Sequence, residues 1–209
     1  SIVPDPAFTI TVPDGGWCKD SSYAVNWAMS GEAKDEYSLY WEVAGASDAI
    51  SVSSVSASSE WTNEEGNFSW AVDNILTDDG AHGENSRWGA QTNENEYVVL
   101  NLSKTQTVGG VEIDEFTEYG TVSSFEIQVD EGGSWKTVYE GTEIGENFKA
   151  SFAPVSTSKV RFFVKAASGI NINYVYVTGL SSMLLSENIK ANGSYKFTPT
   201  IASAGILSI

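Results

Sequence analysis

Apolar and polar residues alternate with a period of two along much of this chain, the pattern of strands that bury one face and wet the other. It is sharpest from Ser123 to Val129, where Phe125, Ile127 and Val129 form one face and Glu126, Gln128 and Asp130 the other. From Val108 to Phe116, the residues Val111, Ile113 and Phe116 oppose Glu112 and Asp114. Gly132-Gly133-Ser134 then supplies a tight turn into Trp135. Long helical runs are missing, and Ser, Thr, Gly, Asn, Tyr and Trp are abundant. The sequence therefore predicts an all-β protein of short strands and many turns, its sheets packed face to face. Trp88, Trp135 and Phe162 are the large residues expected in its core.

Three sections separate along the chain. Residues 1–48 contain candidate strands at 8–12, 24–29 and 37–43, divided by turns at Pro13-Asp14-Gly15-Gly16 and Ser30-Gly31-Glu32. Residues 49–180 hold the most regular alternation. Residues 181–209 return to it, with a strand at Tyr195-Lys196-Phe197-Thr198 and an apolar end, Ala204 to Ile209. Neither flank is long enough to close a sandwich alone. The expectation is that they pair with each other as part of an immunoglobulin-like unit, with 49–180 inserted between them. The alternative is that the terminal strand pairs with a neighbouring chain.

Composition and charge narrow the function classes. A formal net charge of -17 disfavours nucleic acid, whose phosphates require clustered Lys and Arg, and anionic membrane surfaces likewise. No stretch approaches the roughly 20 apolar residues of a membrane helix, so no membrane insertion is expected. One cysteine, Cys18, cannot form an internal disulfide, and together with the acidic surface it suggests an exported bacterial protein. One histidine, His82, and one cysteine cannot build a multi-ligand transition-metal site. No Gly-x-Ser-x-Gly elbow accompanies any serine. Carboxylate pairs are too numerous among 28 acids to single one out, so the expectation is a non-enzyme.

The order of loop signatures in the middle section is distinctive. It runs from Val52 to Trp61 through Trp70-Ala71-Val72-Asp73-Asn74, Asn85-Ser86-Arg87-Trp88 and Glu96 to Leu102, then Val122 to Val129, Gly133 to Val138 and Val160 to Val164. This series resembles the discoidin, or coagulation factor 5/8 type C, family, whose bacterial members include family 32-like carbohydrate-binding modules. The resemblance covers about three-fifths of the chain. It implies a discoidin-like antiparallel β-sandwich (jelly roll), with additional strands from both flanks. It also implies a non-catalytic module at the cell surface or outside the cell, tethering its protein to a polysaccharide or cell-surface glycan. A structural or adhesive subunit assembling through its terminal strands is the competing reading, because one fold hosts many functions.

The same resemblance implies sites. Relatives hold a structural calcium beside an Asp-Gly-like and a Thr-x-Trp-like step, which here are Asp73-Asn74 and Ser86-Arg87-Trp88. The intervening loop adds Asp78, Asp79 and Glu84, so Asp73, Asp78, Asp79 and Ser86 form the expected calcium set. Tyr174 stands where the family commonly has an acid. Sugar binding needs an aromatic face for stacking and planar polar groups to orient hydroxyls. Trp61 is the expected platform, with Asn63, His82, Arg87 and Tyr119 as partners in neighbouring loops; packing of Trp61 on the sandwich edge is the competing reading. Where galactose-binding relatives place an Arg, this chain has Glu115 to Glu118, which leaves the sugar unnamed.

Overall fold

The computed structural model describes residues 7–11, 22–31, 37–66, 70–77, 86–198 and 205–209. Twelve strands appear among them: β1 (Ala7–Thr11), β2 (Tyr23–Ser30), β3 (Leu39–Ala49), β4 (Val52–Ala57), β5 (Trp88–Gly89), β6 (Glu96–Glu115), β7 (Val122–Glu131), β8 (Ser134–Gly141), β9 (Phe148–Ala167), β10 (Asn171–Ser186), β11 (Gly193–Phe197) and β12 (Gly205–Ser208). Two short 3-10 turns, Val72–Leu76 and Thr117–Tyr119, are the only helical elements among the described residues. The chain divides into two compact units, Ala44–Gly179 and Ser1–Val43 with Leu180–Ile209, and the boundary falls inside β3 and β10.

The larger unit is an antiparallel β-sandwich of discoidin type. Its two longest strands, β6 and β9, pair over most of their length but lose register between Asn101 and Gln106 and between Val108 and Gly110. Such irregularities bend a strand, which lets each long strand serve two layers. The first half of β6 lies between β4 and the end of β9, which continues to β7 and β8. Its second half lies between β10 and the start of β9. The inward residues of both layers form one core, with Trp88, Leu100, Ile113, Phe125, Ile127, Phe162 and Val177 removed from solvent. The alternation through Phe125, Ile127 and Val129 is thus the core face it promised.

The opposite faces depart from a simple wet surface. Glu126 and Gln128 are buried, as is Asp114, although their positions alternate away from the core. Neighbouring strands supply the cover. Glu126 accepts hydrogen bonds from Thr137 at 2.6 Å and Gln128 at 2.5 Å and is ion-paired with Lys165. Asp114 accepts from Asn173 at 2.7 Å and from the Asn147 backbone at 2.9 Å. Two large residues also lie away from the core, Trp135, expected there, and Phe116, grouped by the alternation with Val111 and Ile113. Trp135 is half-buried on the outer face with the Arg161 guanidinium 4.5 Å from its ring centre. Phe116 is half-buried past the end of β6, where it meets a different arginine, Arg87.

The smaller unit has its own core, built from Val25, Trp27, Leu39, Trp41, Val43, Phe197 and Leu207. Within it β2 lies between β1 and β11, and β12 pairs with the first half of β3. The two sequence flanks therefore hydrogen-bond to each other at β2–β11 and β3–β12, and the C-terminal strand Gly205–Ser208 pairs within its own chain.

The Glu126 carboxyl titrates well below its usual range, at about 2: burial opposes the charge, but Lys165, Thr137 and Gln128 outweigh it. A depressed native pKa means that the charged carboxylate stabilises the fold above the unfolded value and loses that contribution as pH falls towards the native one. Glu126→Gln should cost about 2 kcal/mol near neutral pH. The gap from the natural sequence should close between the ordinary glutamate range and pH 2, measured by urea unfolding at stepped pH. A gap that stays constant across that window would show that Glu126 is not charge-coupled to folding.

Candidate functional site

The loops at one end of the larger unit enclose a cavity of about 410 Å³, lined by Trp61, Trp70, Arg87, Gln91, Asn93, Tyr119 and the Ser168–Asn171 loop, with Gly89 and Ala90. Its aromatic wall is set by the backbone. Trp61 N–H donates to the Gly89 carbonyl (2.7 Å), Trp70 N–H to the Trp61 carbonyl (2.9 Å), and Gly89 N–H to the Trp70 carbonyl (3.2 Å). This closed exchange holds two tryptophans on either side of a glycine that offers no side chain. Their rings meet edge to face, with centres 4.6 Å apart. Trp61 remains 42% exposed, so it is an open ring and not a core residue.

Arg87 closes the base of the cavity. It is almost fully buried, donates from Nε to Asn171 Oδ1 at 2.8 Å, and places its guanidinium 5.3 Å from the Trp70 ring, 4.7 Å from Phe116 and 5.3 Å from Tyr119. Each such contact is worth about 0.5–2 kcal/mol when water is excluded. One cation thus joins β5 to the Thr117–Tyr119 turn and to the first residue of β10. Tyr119, half exposed, forms the wall facing the tryptophans. Its turn ends at Gly120, whose φ of 115° a side chain would strain, and packs on Gly169, where a Cβ would lie 2.0 Å from the Tyr119 carbonyl oxygen.

A second set of bonds fixes the Gln91–Asn95 loop. Glu96, buried, accepts from the Ser59 hydroxyl (2.8 Å), the Thr92 hydroxyl (2.7 Å) and the Thr92 N–H (3.2 Å), and also from Ser58. Ser59 in turn accepts from Gln91 N–H at 2.9 Å, and its carbonyl takes the Trp88 indole N–H at 2.9 Å. Burial works against the Glu96 charge, but the bonds from Ser58, Thr92 and Ser59 hold its carboxyl below the usual range. Glu115, behind the Tyr119 turn, goes the other way. Burial raises it despite N–H bonds from Val122 and Gly145, and Glu143 and Asp114 add repulsion.

The structure brings together Trp61, Arg87 and Tyr119 of the expected sugar contacts. Asn63 sits in the turn beyond Trp61, where its carbonyl accepts from Gly66 N–H, and it does not line the cavity. His82 lies outside the described residues. Gln91 and Asn93 line the cavity without having been expected; the polar run Gln91 to Asn95 directly after Trp88-Gly89-Ala90 was the available signal. Trp70, expected beneath a loop, is half-buried and forms part of the wall.

For calcium, the Asp73 turn is drawn beside Ser86-Arg87 by an Asn74 side-chain bond to the Arg87 carbonyl at 2.9 Å. Asp73 is exposed there and Ser86 half-buried. Among the described residues no group of three or more His, Cys, Asp or Glu side chains could hold a metal ion. A full ligand set on this loop would draw on Asp78 and Asp79, which lie outside the described residues. At the position of the family's acid, Tyr174 stacks on Tyr176 with ring centres 4.7 Å apart and reaches Asn147 Oδ1 at 3.3 Å.

Residues 54–176, more than half of the chain, match the F5/8 type C domain. No curated protein matches the sequence. Among solved structures, SpGH29 is similar with a TM-score of 0.52 and 19% identity, over 64% of this chain and 28% of that one. The CBM32 of AlyQ, in complex with 4,5-unsaturated mannuronic acid, gives 0.51 and 20% over 62% and 97%. Chitosan-binding module 2 of a chitosanase/glucanase from Paenibacillus sp. IK-5, in complex with chitotriose, gives 0.50 and 22% over 63% and 98%. The chain thus spans under a third of the first and nearly all of the two modules. These likenesses establish the shared sandwich.

Gly169→Ala should displace the Tyr119 turn, since the added carbon overlaps a backbone oxygen, and cost about 1–3 kcal/mol. The measurement is the denaturant midpoint at constant slope. An unchanged midpoint would mean that the turn does not rest on Gly169.

Proposed function

The chain belongs to the F5/8 type C domain family, and on that premise we propose that the larger unit is a non-catalytic carbohydrate-binding module whose binding site is the Trp61–Tyr119 cavity. The observation that carries this reading is the open Trp61 ring, held edge-on to Trp70 by backbone hydrogen bonds and left facing a cavity of sugar size. A pyranose presents one apolar face and a rim of hydroxyls. Trp61 and Tyr119 suit the first, and Gln91, Asn93 and Asn171 suit the second. Among the described residues the lining includes aromatic, amide, hydroxyl and glycine groups with Arg87 at its base, a set suited to holding a sugar. Two modules of the same sandwich bind sugars, an unsaturated mannuronic acid in one and chitotriose in the other, which supports a glycan as the ligand class.

On this reading the module lies outside the cell and tethers the protein that carries it to a polysaccharide or surface glycan. Stacking on one ring with a few hydrogen bonds predicts weak affinity, about -4 to -6 kcal/mol, in the millimolar to high-micromolar range. A glycan array on the purified chain should give signal, and Trp61→Ala should abolish it while leaving the melting temperature nearly unchanged. If that variant unfolds, or if sugar binding survives it, the platform assignment fails.

Calcium belongs to the same proposal. Asp73 and Ser86 would hold the ion together with Asp78 and Asp79, and its chemistry there would be to bind oxygen ligands and fix the loop preceding Arg87. An ion bound only by the native state raises stability by mass action, so a chelator should lower the melting temperature. No shift, with no calcium found by elemental analysis, would remove the ion from the account.

A further inference from the structure

Resting on that reading of the cavity, we propose that Glu115 is the positioning residue of its Tyr119 wall. The ionised, buried carboxylate holds the 116–121 loop closed behind Tyr119, and sugar affinity falls when it takes a proton. The alternation that sends Val111 and Ile113 into the core makes 115 the next inward position of β6, where an apolar residue would follow. A carboxylate stands there instead, 2% exposed. Its Oε1 accepts from the Val122 N–H at 2.6 Å and its Oε2 from the Gly145 N–H at 3.0 Å. The Glu115 N–H donates in turn to the Gly145 carbonyl at 3.0 Å. Val122 is the first residue of β7, so the Oε1 bond spans the neck of the loop that carries Tyr119. The Gly145 bonds tie that neck to the segment between β8 and β9.

Burial works against this charge, and the neighbouring groups add to the difficulty. Glu143, between β8 and β9, and Asp114, on its own strand, repel it. Glu118 of the turn and Glu146 line the same hollow, about 380 Å³, with no Lys or Arg among its described lining residues. Lys149 on β9 is paired with Glu112, and Arg87 is stacked on Phe116 and bonded to Asn171. The carboxyl therefore titrates above its ordinary value of 4.5. A raised native value means that the proton-bound form stabilises the fold and that this contribution is lost as pH rises through it. Ionisation near neutral pH thus works against stability, and what it supplies is local. A carboxylate accepts N–H groups in bonds about twice as strong as neutral ones, whereas a carboxylic acid carries a hydrogen on one oxygen and holds both partners more weakly. A charge kept at an inward position against stability marks a functional constraint, and the element it fastens is the cavity wall. Other bonds keep the loop folded when Glu115 takes a proton: Thr121 N–H to Ser168 Oγ and Phe116 N–H to the Asn171 carbonyl, each 2.9 Å. Protonation loosens the wall without unfolding it.

The test follows the nitrogen-15-labelled chain by nuclear magnetic resonance from about pH 8 to about pH 5, the range just above the ordinary carboxyl values. The amide signals of Val122, Gly145 and Tyr119 should move along one shared curve. Glu143→Gln removes a repelling charge and keeps both bonds, so it should displace that curve to lower pH. Glu115→Gln should abolish the shared movement and leave only that of other groups, the His82 imidazole among them. Affinity is read with two neutral trisaccharides, the N-acetylglucosamine trimer and the mannose trimer, which carry no titratable group. Binding at about pH 8 should be about threefold tighter than at about pH 5, because a loosened wall must be ordered again on binding. Glu115→Gln should bind at the weaker level throughout. Three results overturn the positioning role: a Tyr119 signal that stays still while Val122 and Gly145 titrate, a curve that Glu143→Gln does not displace, or an affinity that ignores the curve. If neither trimer binds, the Tyr119 signal alone decides the positioning role, and the array with Trp61→Ala decides separately whether the cavity takes sugar.

Discussion

The cavity end of the larger unit depends on one buried cation, Arg87. Arg87 is desolvated, and a charge so placed must be surrounded by compensating groups or the fold pays for it. The compensation includes three rings and one amide on three segments: Trp70, the Phe116–Tyr119 turn and Asn171. Because these segments are distant in sequence, satisfying one guanidinium fixes their positions relative to each other. The walls of the cavity are therefore held in place by the fold itself, an arrangement that lowers the ordering cost of binding any ligand there. Arginine suits this place better than lysine, since its plane stacks while its edge donates.

Strand interiors were legible in the sequence because burial on one face imposes a period of two, and Phe125, Ile127, Val129, Val111 and Ile113 show it without interruption. The errors came from positions where the opposite face is covered as well. Glu126 and Gln128 alternate correctly but lie beneath Thr137 of the next strand and Lys165 and Arg161 of β9, some thirty or more residues further along the chain. Trp135 looked like core because tryptophan is large and apolar, yet its ring is the platform for Arg161 on the outer face. Period alone reports which side of a strand a residue takes. It carries no information about what a neighbouring strand lays over that side.

The residues around the cavity were legible in a different way. Loop signatures located Trp61, Arg87 and Tyr119, because aromatic and cationic residues in polar surroundings stand out. Gln91 and Asn93 did not stand out, since short polar side chains after a strand are ordinary in turns. Their place in the cavity is set by Glu96, which draws Ser59 and Thr92 together across the mouth of the sandwich. Nor did the sequence separate Asn63 from its neighbours, although its side chain falls outside the lining while Trp61, two residues before it, anchors the wall.

Net charge is the coarsest of the sequence descriptors, and here it merges two populations of acids that act in opposite senses. Glu96, Asp114, Glu115 and Glu126 are buried, and every one of them accepts hydrogen bonds that tie strands or loops together. Their charge is spent inside the unit and is felt little by a ligand. Glu64, Glu65, Glu94 and Glu118 are exposed on loops, where water and salt screen them. Separating the two explains how a strongly acidic protein can have a cavity with no carboxylate among its described lining residues. The buried acids serve as internal fasteners between strands and loops, and the exposed ones face solvent, so the net charge of the chain says little about the groups that line the cavity.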